Sequence, residues 1–446
     1  MSTLWTQAEL QAALGVAQGW DITGIAIDSR VVQQGDLFVA LQGERDGHDY
    51  VEAALAKGAA AALVSRPMPG RVMLVPDTLR ALETLARAAR ARSGARAVAV
   101  TGSVGKTTAK EMLRRTLSAF GKVHAAEASF NNHIGVPLTL ARMPRDADFG
   151  VFEIGMNHPG EIAPLAALVR PDVGLITCVD RAHLGLMKSE QAIAREKASL
   201  YGALGPGGKA VLPGESVYLN VLREAVPAGH SALVFNGPEA RLLDVVSSAD
   251  GSEIAARVLD QTLYLTLAAP GRHMASNALG VLTVAAALGL NLVNAASALS
   301  GFAPYAGRGA RRFVTLADGR RILLLDESYN ASGASMRAAL AVLGLQAGRH
   351  IAVLGDMLEL GDHAKAEHLA LLPAVRETAD LMFAAGPYSG LLFEALPAAR
   401  QGAKAVDAAG LVPLLQVALR DGDAVLVKGS FGSRMRDVIT AIEGVG

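Results

Sequence analysis

At 446 residues the chain exceeds one ordinary hydrophobic core, so roughly two to four domains are expected. Its 42 basic and 42 acidic side chains cancel, which removes the electrostatic case for nucleic acid as the main partner. Hydrophobic residues make up 51 % but aromatics only 4 %, so Ala, Leu and Val must build the core, as suits layered α/β architecture.

The N-terminus, Met1-Ser2-Thr3-Leu4-Trp5, has no basic region followed by an apolar stretch, so no signal peptide is expected. Trp5, Leu10 and Leu14 suggest a short helix, and residues 24–28 and 37–41 suggest strands of a small α/β unit. Asp28, Ser29 and Arg30, followed by the glycine-flanked stretch 35–43, suit hydrogen bonding to a sugar or base. Taken alone they read better as ordinary turn residues with one surface ion pair. Residues 78–92 read as an Ala/Leu/Arg helix, with a domain boundary near residue 80.

Residues 97–101 form an apolar run that ends in Thr101-Gly102-Ser103-Val104-Gly105-Lys106-Thr107-Thr108. Gly102 and Gly105 can adopt backbone angles that let the chain curl around an anion. The amides of such a curl and of the next helix's first turn attract phosphate. Lys106 can reach terminal phosphates, and the Thr107 or Thr108 hydroxyl can hold Mg²⁺. The next helix carries Met112, Leu113, Leu117 and Phe120 on one stripe. Val100 stands where the full phosphate-loop motif has its first glycine, so this is a shortened loop.

Asn131-Asn132-His133 before Gly135 and Pro137 reads equally as a binding loop or an Asn-rich turn. Residues 151–157 read as a buried strand with Glu153 near its end, and nucleotide-bound Mg²⁺ is favoured over an ion pair as its partner. Residues 172–179 form a third strand, containing Cys178, the only cysteine. No intrachain disulfide is possible, and a cytoplasmic location is natural. His183 reads as a loop histidine, and Lys197 as an exposed lysine on a helix over 189–200. Residues 209–267 read as further strands of the central domain, and 271–277 open a long Ala-rich helix. Asn277 either reads a base edge or caps that helix. The apolar segment 279–293, interrupted by Gly280, Thr283 and Asn291, suits a buried helix rather than a membrane span.

From about residue 305 the pattern restarts. Strands over 321–326, 350–354, 381–385 and 424–428 alternate with helices, the first from about 335. This predicts an open parallel sheet whose ligands bind beyond the strands' C-terminal ends, where Asp326, Asp356 and Lys428 fall.

Together these residues resemble the Mur ligase family, the ATP-dependent amide-forming enzymes of peptidoglycan precursor synthesis. The resemblance covers the whole chain. It rests on the shortened loop, Glu153, His183, Lys197, Asn277, Arg308 and the Asp326/Tyr329/Asn330 cluster. The stretches 131–137, 153–157 and 355–361, with His368 and Lys428-Gly429-Ser430, are similar to the branch that adds D-alanyl-D-alanine to UDP-N-acetylmuramoyl-tripeptide. Ser332-Gly333 and Phe431 depart from that branch, which usually has Asn-Pro and Arg there.

The resemblance implies a UDP-substrate domain over 1–80, a central ATPase domain with a phosphate loop over 81–305, and a Rossmann-like domain over 306–446 that brings the amine. It implies that Asp28, Ser29 and Arg30 hold the uridine end, with Asn131, Asn132 and His133 also facing substrate. ATP would lie on residues 102–108, with Asn277 at adenine and Arg308, Asp326, Tyr329 and Asn330 at phosphate and ribose. Thr107 and Glu153 would hold one Mg²⁺ and His183 a second, with Lys197 carbamylated into an anion. Lys106, His183 and Lys197 would be catalytic, in a monomer with no membrane partner. Rival readings are a sister ligase that adds one amino acid, a more distant folate polyglutamylating enzyme, and a phosphate-loop switch that makes no bond.

Overall fold

The computed structural model describes residues 3–127, 129–181 and 184–444. Its strands form three sheets that follow one another along the chain.

The first sheet is parallel and runs Gly24–Ala26, Asp36–Val39, Ala61–Val64, Val72–Leu74 in spatial order. Its core is completed from elsewhere. Leu82 and Leu85 of helix Thr78–Arg92 and Leu138 and Ala141 of helix Gly135–Ala141 pack into the same apolar cluster as Leu37 and Leu63. The short helix expected around Trp5 begins later, at Gln7, with Thr6 and Glu9 forming a capping box. Trp5 instead bridges to Ile22. Its indole N–H donates to the Ala141 carbonyl at 2.9 Å, and the Arg92 guanidinium lies 3.5 Å over its ring.

The central sheet has nine strands. Strand Arg96–Thr101 is flanked by Val173–Ile176 on one side and Phe149–Glu153 on the other, all parallel. Both faces of this strand are covered: Val98 and Val100 join one apolar cluster, Ala97 and Ala99 another. A continuous apolar run is what such burial requires. Helices Lys106–Leu117 and Arg272–Ala287 pack together on the first face through Met112, Leu113, Leu279 and Leu282. Residues 240–267 add an antiparallel meander at the sheet's far edge. Among the described residues no helix is long and apolar enough to cross a membrane.

The third sheet runs Ala310–Thr315, Arg321–Glu327, Ala424–Lys428, His350–Gly355, Leu381–Ala385, Gln401–Ala405. The four expected strands are present and parallel. Two edge strands were not expected: Ala310–Thr315, which is antiparallel to its neighbour, and Gln401–Ala405. The helix expected from about 335 begins at Gly333, because Ser332 and Ser335 form a capping box there.

Candidate active site

The strand order brings Thr101, Glu153 and Thr177 to one edge of the central sheet, and the shortened loop spans them. Gly102 has φ +150°, and a Cβ there would lie 1.9 Å from the Thr177 hydroxyl. Gly105, at φ +86°, begins helix Lys106–Leu117, and a Cβ there would lie 2.7 Å from Asn277 Oδ1. Both glycines are therefore required by close approach as well as by backbone angle.

The loop is stitched to the segment after strand Val173–Ile176. Thr177 Oγ1 donates to the Val104 carbonyl at 2.5 Å, and Ser103 Oγ donates to the Asp180 carbonyl at 2.9 Å. The Ser103 amide donates to the Cys178 carbonyl at 3.0 Å, and the Val104 amide meets Cys178 Sγ at 3.4 Å. This corrects the expectation that all amides of the curl face inward. The Ser103 and Val104 amides are thus taken, which leaves the Gly105 amide and those of the helix's first turn to meet an anion.

Lys106 folds back over the loop, its ammonium donating to the Gly102 carbonyl at 2.7 Å. Burial lowers its pKa, Glu153 opposes that shift, and Arg308 adds to it. Glu153 is buried at the end of its strand, which stops there rather than running on to 157. Its Oε1 accepts from Asn131 Nδ2 at 2.7 Å, while its Oε2 is buried without a hydrogen-bond partner. The ion-pair alternative for Glu153 is not what the structure contains among the described residues.

Asn131 thus orients the carboxylate. Asn132 behaves as a turn residue: its side chain accepts from the Ile134 and Gly135 amides. His133 is exposed. Ser129, just upstream, joins three segments. Its hydroxyl lies 3.2 Å from Thr107 Oγ1 and accepts from Arg308 Nη2 at 3.1 Å.

Lys197 overturns the expectation of an exposed helical lysine. It is only 1 % exposed, on the inner face of helix Glu190–Ala198. Its side chain has no hydrogen-bond or ion-pair partner among the described residues. Burial, and secondarily the charge of Lys106, push its pKa down to about 7. His183 lies outside the described residues. Asn277 does not cap its helix, which begins at Arg272; it faces Gly105 of the loop.

The third sheet faces this edge. Arg308 stacks over the Tyr329 ring, its guanidinium 4.1 Å from the centroid. Asp326 Oδ1 accepts from Ser328 Oγ at 2.7 Å, and its Oδ2 lies 3.6 Å from Arg312. Lys428 is buried and donates to the Asn330 carbonyl at 2.9 Å and Glu327 Oε2 at 3.3 Å. Asp356 accepts from the Ser389 amide at 2.7 Å, in the first turn of helix Pro387–Glu394. Two contacts missed in the sequence join the sheets. Arg181 reaches Glu190 and Glu367, each at 2.7 Å. The Gly185 amide donates to the Glu359 carbonyl at 3.0 Å, and a Cβ on Gly185 would lie 2.7 Å from the Gly361 nitrogen. No sequence signal pairs Arg181 with Glu367, since a lone surface arginine has many acidic neighbours to choose from.

Asp28 and Arg30 form a bidentate ion pair, its shortest contact 2.7 Å, with the arginine side chain 86 % exposed. This is the local arrangement expected of them on their own. Arg30 holds the Asp28 carboxyl well below the usual carboxylate range, at about 2.

Residues 21–90 match the Mur ligase family catalytic domain, 100–285 the Mur ligase middle domain, and 311–431 the Mur ligase glutamate ligase domain. The chain belongs to the Mur ligase family. Within that family its likeness is to one branch. It is 38 % identical to UDP-N-acetylmuramoyl-tripeptide–D-alanyl-D-alanine ligase of Synechocystis sp., over 92 % of this chain and 89 % of the relative. The crystal structure of MurF from Acinetobacter baumannii superposes with a TM-score of 0.87 at 30 % identity, covering 99 % of both chains. That of MurF from Thermotoga maritima in complex with ADP gives 0.80 at 26 %, covering 94 % of this chain and 97 % of that one.

Proposed function

We propose that this chain is an ATP-dependent ligase that joins D-alanyl-D-alanine to UDP-N-acetylmuramoyl-tripeptide in peptidoglycan precursor synthesis. The carrying observation is the loop packed between Thr177 and Asn277, with buried Glu153 Oε2 and Lys197 left without partners among the described residues. Three domains, 1–80, 81–305 and 306–446, divide the work among uridine nucleotide, ATP and amine. The protein acts as a cytoplasmic monomer.

Making an amide from a free carboxylate in water is uphill, so the carboxylate is first activated. The tripeptide's terminal carboxylate attacks the γ-phosphorus of ATP and ADP leaves. The amine of D-alanyl-D-alanine then attacks the acyl phosphate carbon and loses its proton, and inorganic phosphate departs from the tetrahedral intermediate. The first step presses anion against anion, so placing positive charge there is the site's main task. Lys106 supplies one charge, anchored by the Gly102 carbonyl, and Arg308 a second from the adjoining segment. Asn277, over the loop at Gly105, addresses the adenine, and Asp326, Tyr329 and Asn330 face the nucleotide from the third sheet.

A divalent cation fits the donors present. Glu153 Oε2 is a buried oxygen that lacks a partner, and Thr107 offers a hydroxyl nearby. Among the described residues no three His, Cys, Asp or Glu side chains cluster, which suits Mg²⁺ completed by phosphate oxygens rather than an all-protein cage. Bound there it would neutralise phosphate charge; His183 would serve a second ion. Lys197 in its neutral form can add CO₂ at Nζ, releasing one proton and leaving a carbamate anion suited to that second ion. Burial of the amine favours the neutral form. Asp28, Ser29 and Arg30 would take the uridine end by exchanging their surface ion pair for ligand contacts, and Asn131, Asn132 and His133 line the substrate side.

The test is phosphate release from ATP with UDP-N-acetylmuramoyl-tripeptide, with and without D-alanyl-D-alanine. Release that requires both supports the assignment. Equal release with a single amino acid makes the chain a sister ligase, and ATP turnover indifferent to the muramoyl peptide would sink it.

A further inference from the structure

The segment between the helices of the central sheet and the first strand of the third contains a tight turn. The Arg308 amide donates to the Tyr305 carbonyl at 3.0 Å, and Gly307 supplies a positive φ of +76°. A Cβ on Gly307 would lie 3.1 Å from Tyr329 Cβ, so the turn is pressed against the third sheet. It carries two functional side chains toward the phosphate loop. Arg308 reaches Ser129, which in turn meets Thr107.

Tyr305 is the other. Its hydroxyl oxygen is buried and has no hydrogen-bond partner among the described residues. The charges that bear on it are those of Arg308, Glu111 and Glu153, and the Thr107 hydroxyl lies near it. Thr107 Oγ1 also lies 3.2 Å from Ser129 Oγ. A buried phenol oxygen left without a partner is destabilising. Glu153, whose charge bears on Tyr305, likewise keeps a buried oxygen, Oε2, without a hydrogen-bond partner among the described residues.

We propose that Tyr305 is a nucleotide-binding residue of this chain: its hydroxyl donates to an oxygen of the bound magnesium–nucleotide, either on a phosphate or on a water held by the cation. This rests on the assignment of residues 102–108 as the nucleotide site. It gives the connecting turn two contacts to the nucleotide side, a charged one through Arg308 and a neutral one through Tyr305. The Thr107 hydroxyl is the protein group nearest to competing for the phenol.

The experiment compares full-length wild type, Tyr305→Phe and Lys106→Ala by thermal unfolding without nucleotide, and by calorimetric titration with Mg²⁺–ADP and Mg²⁺–imido-ATP. Tyr305→Phe should melt at or above the wild-type temperature, since it removes an unpaired buried hydroxyl. It should bind the imido analogue about fivefold more weakly, the loss of one hydrogen bond. An equal loss with ADP places the partner on the β-phosphate or cation, whereas a loss confined to the analogue places it on the terminal phosphate. Melting several degrees lower would mean that the hydroxyl already has a structural partner, and wild-type affinity for both nucleotides would mean it meets neither; each overturns the proposal. Wild-type binding by Lys106→Ala would instead overturn the nucleotide site itself, and the Tyr305 assignment with it.

Discussion

Around the strand ends of the central sheet and of the third sheet lie the same kinds of residue, carboxylates and lysines removed from solvent. They differ in how those groups are satisfied. In the third sheet Asp326 is held by Ser328, Asp356 by amides in the first turn of Pro387–Glu394, and Lys428 by Glu327 and Asn330. In the central domain, among the described residues, Glu153 keeps one bare oxygen, Lys197 has no hydrogen-bond or ion-pair partner, and Lys106 donates to loop carbonyls. An unpaired buried polar group is costly, so natural proteins keep few of them. The central edge thus offers unpaired groups suited to anions and cations, whereas the buried carboxylates and lysine named at the third sheet's edge already have protein partners.

Substitution can break that contrast. Lys106→Ala and Lys197→Ala should each cut ATP-dependent ligation by about a hundredfold or more, read as phosphate release with both substrates present. Excess bicarbonate should not restore the Lys197→Ala enzyme, and near-normal turnover in it would remove Lys197 from the mechanism.

The cost of burying Lys197 should also be visible as pH dependence. Its pKa is about 7 in the native chain against an ordinary value of 10.5. Between those values the unfolded chain holds a proton that the native chain does not. Stability contributed by this group therefore rises as pH climbs through that window and is lowest below it. In CO₂-free buffer the full change is on the order of a few kcal/mol. Denaturant unfolding at several pH values should detect it, and Lys197→Met should flatten the slope.

Asp356→Ala should act oppositely in kind. Removing the acceptor at the start of Pro387–Glu394 should cost about 1–2 kcal/mol of stability while leaving nucleotide affinity unchanged. A large loss of nucleotide binding there would mean that Asp356 serves the nucleotide as well as the helix. Arg181→Ala should be the mildest. The arginine is half exposed and its pair with Glu190 is screened, but Glu367 is buried, so about 1 kcal/mol is expected in thermal unfolding.

How far the sequence foretold this follows from which residues have local causes. The helix over 78–92 and the strand ending at Thr101 were legible because their apolar period is decided by neighbours in the chain. The edge strand Ala310–Thr315 was not, since an edge tolerates Arg311 and Arg312 and so never forms an apolar run. Glu153 was legible because a carboxylate in an apolar strand needs a reason. Lys197 was not, as its helix also carries Glu190, Arg195 and Glu196 and reads as solvated; its burial comes from the loop folded against it. Asn277 looked undecidable between cap and ligand contact until its distance from Gly105 placed it over the loop.

The crowded meeting of Gly185 with the 359–361 segment has a consequence for anyone wishing to control this molecule. One methyl group at that point acts as a doorstop. Gly185→Ala would press a methyl group onto the backbone of Glu359 and Gly361 rather than onto a flexible side chain, so the central domain and the third would have to shift apart there.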